Sequence, residues 1–313
     1  MRVVFMGTPG FAVPALHALV ASSEVDVTLV VSQPDRPAGR GGQLRSPPVV
    51  EAARRAGLPV WQPESLKVEG SVERLAAERA DFFIVAAYGE ILRQRVLDLP
   101  RVAPLNLHAS LLPRWRGAAP IQWAIASGDA ATGVALMHME KGLDTGAVYA
   151  MDATMIGDTE TAGELHERLA ALGATLLMRE LPRIASGACQ PQKQPATRSS
   201  YASMLTREHR HLPPEYSAQT AASWVNGMSP WPGVAIQVAG ERLALHRARA
   251  THRPAQGPCG TLSVADGLLW LNAWDGLQVE LLEVQRPGRK LVTGAEFARG
   301  AHVDGAAAER LVE

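Results

Sequence analysis

Short apolar runs alternate with helical stretches through roughly the first 180 residues, and this alternation restricts the chain to a few folds. The runs fall at residues 3–6, 25–32, 60–62, 82–87, 105–108 and 133–139. Helical character appears at residues 12–20, 47–56, 72–79 and 119–127. Pro14 sits in the first turn of one such stretch, where a missing N–H costs nothing. Gly57 and Gly128 stand just past the ends of two others, as helix terminators do. The run Phe82-Phe83-Ile84-Val85-Ala86-Ala87 contains no polar residue, which fits a parallel strand buried on both faces. The pattern predicts an α/β fold built on an open, doubly wound, mostly parallel sheet. A long helix over residues 160–186 is expected to pack on it.

The texture then changes. Residues 190–200 hold two prolines and no periodicity, and read as an interdomain linker. A helix over residues 218–228 follows, then short strands at 234–238, 243–248, 260–264, 268–272 and 277–284. Gly-rich turns between strands so spaced suggest a small β-barrel. At 313 residues the chain fits about two domains, divided here as 1–189, a linker at 190–208, and 209–313. Lys+Arg and Asp+Glu balance at 31 each, so a nucleic-acid partner has to be met by local basic patches. Cys189 and Cys259 have neither metal-ligand spacing nor a disulfide framework, and read as free thiols in a reducing cytoplasm. The apolar start ends at Gly7, short of a signal-peptide core, and no window is long enough for a membrane span.

Four places carry candidate chemistry. Asn106, His108 and Ser110 alternate with apolar residues, so in an extended segment an amide, a base and a hydroxyl share one face. Three polar groups at the carboxyl end of a sheet suit attack on a carbonyl; the plain alternative is a buried strand with satisfied polar groups. Asp144, within Gly142-Leu143-Asp144-Thr145-Gly146, either caps a turn or orients that imidazole. Arg36, Arg40 and Arg45 lie in a Pro- and Gly-rich loop after the second strand, which is either a solvated loop or an arm reaching phosphates and base edges. Gly7-Thr8-Pro9-Gly10 is neither a dinucleotide fingerprint nor a P-loop, though its backbone N–H groups could meet an anion.

Six segments together resemble the methionyl-tRNA formyltransferase family, a branch of the 10-formyltetrahydrofolate-dependent formyltransferases. They are Met6-Gly7-Thr8-Pro9-Gly10-Phe11-Ala12, the loop from Gln33 to Gly41, Ala86-Ala87-Tyr88-Gly89, the run from Leu105 to Ile121, Gly142 to Gly146, and Ser229-Pro230-Trp231-Pro232-Gly233. The resemblance implies a Rossmann-like formyltransferase domain and an OB-fold-like C-terminal barrel that binds tRNA. By similarity Asn106, His108 and Asp144 form the catalytic set, Ser110, Leu111, Leu112 and Pro113 line the folate site, and Arg36, Arg40 and Arg45 meet the acceptor end of the tRNA. The implied cosubstrate is 10-formyltetrahydrofolate, the acceptor is initiator methionyl-tRNA, and no metal is needed. The implied enzyme is a cytoplasmic monomer. Ala109 stands where the family often has glycine, beside the proposed catalytic His108.

Overall fold

The computed structural model describes residues 1–38, 42–300 and 303–310. The chain divides into two compact units. The first comprises Met1–Gly117, Gly133–Ala153 and His166–Tyr201; the second comprises Ala118–Thr132, Thr154–Leu165 and Ala202–Glu313. Each unit is therefore assembled from separated pieces of chain.

The strands through the first unit are β1 (Arg2–Gly7), β2 (Asp26–Val31), a small hairpin of β3 (Arg36–Ala38) and β4 (Gln43–Arg45), β5 (Val60–Trp61), β6 (Phe82–Ala86), β7 (Ala103–His108), β8 (Arg116–Gly117), β9 (Ala131–His138), β10 (Val148–Met155) and β11 (Tyr201–Ala202). Seven of them form one sheet in the order β10-β9-β7-β6-β1-β2-β5. The five from β7 to β5 run parallel, and β9 is antiparallel to β7. The helices associated with this unit are α1 (Val13–Ala21), α2 (Pro48–Arg55), α3 (Ser71–Ala77) and α4 (Gln94–Leu97). The expected α/β sheet is present.

Alternation explains how the sheet is covered. Val4, Met6, Leu29, Val31, Phe83 and Val85 pack in one cluster with Leu75 of α3 and with Val96 and Leu97 of α4. Their neighbours Val3, Phe5, Val30, Phe82 and Ile84 point the other way and are equally buried. Two more helices follow in the chain, α5 (Pro120–Ala126) and α6 (Ala162–Ala185). Gly173 of α6 lies against Leu107: a Cβ there would stand 2.7 Å from the leucine Cδ2. The helix thus covers the Leu107 side of β7 and leaves the Asn106 and His108 side to other neighbours.

The second unit holds α5, α7 (Ala218–Gly227) and an antiparallel sheet of β12 (Val234–Val238), β13 (Glu241–Pro254), β14 (Leu262–Ala265), β15 (Leu268–Asn272), β16 (Leu277–Gln285) and β17 (Val292–Thr293), followed by α8 (Gly294–Gly300). The order is β12-β13-β16-β15-β14, with β17 on β16. Residues 305–309 bond to both ends of that order: Gln237 of β12 exchanges hydrogen bonds with Glu309, and Leu262 of β14 donates to Ala306. Leu243, Leu245, Ala248, Leu271, Val279 and Leu281 face Ala221, Ala222 and Val225 of α7 in one core. Asn226 of α7, buried, both donates to and accepts from the backbone of Ala248, standing in for a strand neighbour.

Residues 190–200, which sequence texture assigns to a linker, are bonded back onto the first unit. Val148 and Gln192 exchange backbone hydrogen bonds, and Ser200 accepts from the Arg116 N–H.

Candidate active site

The register sets Gly7 beside Ala86 and Val85 beside Asn106, so the carboxyl ends of β1, β6 and β7 lie side by side. That edge is where open α/β sheets bind ligands. The Gly7–Gly10 turn is occupied in stitching it together: the Thr8 hydroxyl donates to the Tyr88 carbonyl and accepts from the Gln33 N–H.

Asn106 and His108 share the face of β7 opposite Leu107. Asp144 comes over this face from the loop after β9. Its Oδ1 lies 3.4 Å from the Asn106 Nδ2, and its Oδ2 lies 3.7 Å from the His108 Nδ1. The Gly117 N–H donates to the same Oδ2 at 2.9 Å. The His108 Nε2 is 2.9 Å from the Trp115 carbonyl oxygen. A carbonyl can only accept, so Nε2 carries the hydrogen and Nδ1, facing the carboxylate, is left to gain or lose a proton. His108 is 6 % exposed, so the pair is shielded from bulk water.

Asp144 holds φ +51 and Trp115 φ +61, conformations that non-glycine residues occupy at a cost. Each is tied down. The Trp115 N–H donates to the Ser200 hydroxyl at 2.9 Å. The carbonyls of Asp144 and Gly146 both accept from the Gln194 amide, at 2.9 and 2.7 Å. Gly146 is required here, because a Cβ would collide with the His138 carbonyl.

The structure brings Asn106, His108 and Asp144 together but does not put Ser110 in their row. β7 ends at His108, so the alternation that would carry Ser110 onto the same face has stopped. Ser110 is fully buried, and its hydroxyl donates to the Arg114 carbonyl at 2.6 Å. Leu112 is buried too, whereas Leu111 and Pro113 are half-exposed. Sequence reasoning missed the Trp115 carbonyl, the Gly117 N–H, Gln194 and Ser200. The first two are backbone groups without a side-chain signature, and the other two lie in a stretch whose prolines hide any period.

Arg36 and Arg45 are directly paired across the β3–β4 hairpin, and both are exposed. Arg40 lies outside the described residues. Like charges opposite one another destabilise an isolated hairpin, and an anion between them relieves the repulsion. At the neck, the Asp35 carboxylate accepts from the Ser46 hydroxyl at 2.9 Å and from the Gln62 amide at 2.6 Å. These bonds, Gln62 foremost, hold the Asp35 carboxyl below its ordinary range. Arg54 of α2 donates to Ser46 and to Gln62.

In the second unit, several arginines of β13 are engaged in ion pairs. Arg247 pairs with Glu164 at 2.7 Å and with Glu283, Arg249 with Glu280, and Arg253 with Asp266. Among the described residues, no group of three or more His, Cys, Asp or Glu could hold a metal ion, and no helix is long and apolar enough to cross a membrane.

Family models match twice: "Formyl transferase" over residues 1–181 and "Formyl transferase, C-terminal domain" over residues 205–302. A methionyl-tRNA formyltransferase of Halorhodospira halophila is 45 % identical over 300 residues, covering 96 % of each chain. One from Thiobacillus denitrificans is 46 % identical over 301 residues, with the same coverage. Among solved structures, an N-formyltransferase from Helicobacter canadensis in complex with folinic acid and dTDP-3-aminofucose superposes with TM-score 0.67 at 15 % identity, covering 91 % of this chain and 99 % of that one. HypX from Aquifex aeolicus in complex with tetrahydrofolic acid gives TM-score 0.61 at 17 % identity, covering 96 % of this chain and 48 % of that one. At such identities the two structures speak for the fold alone.

Proposed function

The chain belongs to the methionyl-tRNA formyltransferase family, and from that premise we propose that Asn106, His108 and Asp144 carry its chemistry. The enzyme transfers the formyl group of 10-formyltetrahydrofolate to the α-amino group of methionine on initiator methionyl-tRNA, giving N-formylmethionyl-tRNA. The observation behind the site assignment is the convergence of an amide, an imidazole and a carboxylate at the carboxyl edge of the sheet.

The free α-amine has a pKa of about 8, so a useful fraction is neutral near pH 7 and the lone pair can attack. A C–N bond forms at the formyl carbon, and the carbonyl electrons move to oxygen. The Asn106 amide is the donor for that oxyanion; removal of such a donor costs about 10²–10³ in rate. The new ammonium gives its proton to His108 at Nδ1, with Asp144 balancing the charge on the ring. As the bond to N10 breaks, N10 takes the electron pair and a proton from the same imidazole. The products are the formamide and tetrahydrofolate, and the base is restored. On the folate side, Leu111 and Pro113 offer apolar flanks, and Ser110 and Leu112 hold the loop's shape from beneath.

Arg36, Arg40 and Arg45 take the phosphates of the tRNA acceptor end. Residues 1–189 house the chemistry, and residues 209–313 add binding surface for the tRNA. In this reading the enzyme is a cytoplasmic monomer that uses no metal; a dimer in sedimentation, or activity lost to a chelator, would overturn those parts. The direct test is incubation with 10-formyltetrahydrofolate and charged initiator tRNA. Formylmethionyl-tRNA must form in the wild type and drop by orders of magnitude in His108→Ala. Near-normal turnover by that variant would remove His108 from the mechanism.

A further inference from the structure

We infer that Gln194, clamped by Arg116, is the positioning residue that holds Asp144 in its working conformation. The inference rests on the catalytic reading of Asp144 above. The Gln194 amide uses its full hydrogen-bonding capacity at one spot. Its NH₂ donates to the Asp144 carbonyl at 2.9 Å and the Gly146 carbonyl at 2.7 Å. Its Oε1 accepts from the Arg116 Nε at 3.0 Å and Nη2 at 2.7 Å. Two donors and two acceptor lone pairs are all an amide has. Carbonyls only accept and a guanidinium only donates, so the amide can stand one way round only.

That chemistry excludes near relatives. Glutamate would satisfy Arg116 but turn a bare oxygen on two carbonyl oxygens. Methionine matches the size and makes none of the four bonds. Asparagine is one methylene short of spanning from Arg116 to the loop. The bonds land where they are needed. Asp144 carries φ +51, and Gln194 ties its carbonyl and that of Gly146 on either side of Thr145. Gly117, next to Arg116, donates to the Asp144 carboxylate itself. One short segment therefore fixes the Asp144 backbone through a side chain and its carboxylate through an N–H. The far end of Gln194 is anchored as well, by the backbone exchange between Gln192 and Val148 of β10.

A residue that supports a reacting group from behind affects turnover rather than substrate binding. Loss of comparable supports costs about 10–100-fold. Gln194→Met is expected to lower kcat within that range, with KM for tRNA and for 10-formyltetrahydrofolate each unchanged within about twofold. Gln194→Glu should be at least as impaired despite keeping the Arg116 contact. Arg116→Met should lower kcat similarly, and the double variant should be no worse than the poorer single one, since both break one unit. Thermal unfolding and the circular dichroism spectrum of each variant separate misfolding from mispositioning, and Gln194→Glu stays decisive if Gln194→Met misfolds.

Wild-type kcat in Gln194→Met would overturn the inference. So would a loss confined to KM for tRNA, which would make Gln194 a substrate contact. So would full activity in Gln194→Glu, or a kcat loss that the fall in folded fraction accounts for. Asp144→Ala, measured alongside, separates two kinds of failure. If it is inactive while Gln194→Met is normal, only the positioning role falls. If Asp144→Ala is itself normal, the catalytic reading falls first.

Discussion

At the residue scale, the site depends on which atoms are left over after the protein has satisfied its own hydrogen bonds. His108 has committed Nε2–H to the Trp115 carbonyl, so its chemistry is confined to the edge facing Asp144. Asp144→Asn keeps an oxygen for the Gly117 N–H but removes the charge beside the ring. It should lower kcat by roughly 10²–10⁴, the range for general acid–base assistance, with KM little changed; steady-state kinetics checks it. Asn106→Ala should cost about 10²–10³ in kcat by removing the proposed oxyanion donor. The three side chains were legible in the sequence because each brings a distinctive functional group to a two-residue alternation or a glycine loop. Ser110 leaves the shared face because β7 stops at His108, and alternation says nothing about where a strand stops. Trp115, Gly117 and Gln194 were illegible because they act through backbone groups, or through an amide whose partners are 50 and 78 positions away along the chain.

At the scale of elements, the β3–β4 hairpin carries the Arg36–Arg45 pair of like charges at its base, beside the neck latched by Asp35, Ser46, Gln62 and Arg54. Arg36→Ala and Arg45→Ala should each raise KM for tRNA and reduce the slope of log affinity against log salt by about one. Asp35→Ala should raise KM for tRNA about threefold to tenfold by releasing the neck, with KM for folate unmoved. Equal effects on both substrates would mean that the latch serves the fold rather than recognition. Gly173→Leu should push α6 away from Leu107 and cost about 1–3 kcal/mol, read by denaturant unfolding. The parallel strands were legible because both their faces are apolar. β10 was not, because its exposed positions, Met151, Ala153 and Met155, are themselves apolar and erase the contrast that marks an edge strand. β13, Glu241–Pro254, is longer than the 243–248 that its pattern predicts. Its buried positions Leu243, Leu245 and Ala248 step by two and then three, since the register shifts there against β16.

At the scale of the whole molecule, the chain passes between the two units five times, at residues 117/118, 132/133, 153/154, 165/166 and 201/202. The second unit carries its own ionic tie in Arg247–Glu164, which pulls the Glu164 carboxyl down to about 2. A depressed carboxylate stabilises the folded state fully above its ordinary pKa, about 4.5, and loses that contribution as pH falls toward 2. Because the Glu164 side chain is half-exposed, solvent screens the pair and the effect is modest. Glu164→Gln should flatten the dependence of Tm on pH between about 4.5 and 2 relative to wild type, measured by thermal melts across that window. The passage of the chain also means that cutting it after residue 201 does not release an intact first unit. It leaves α5, whose own Ala126 and preceding Ala119 belong to the core around α7, without a partner. The same passage has a consequence for synthesis. α5 leaves the ribosome about ninety residues ahead of α7, which at about 5–20 residues per second is about 5–18 seconds. Through that interval a nascent apolar helix waits, exposed to chaperones, for the stretch of message that encodes its partner.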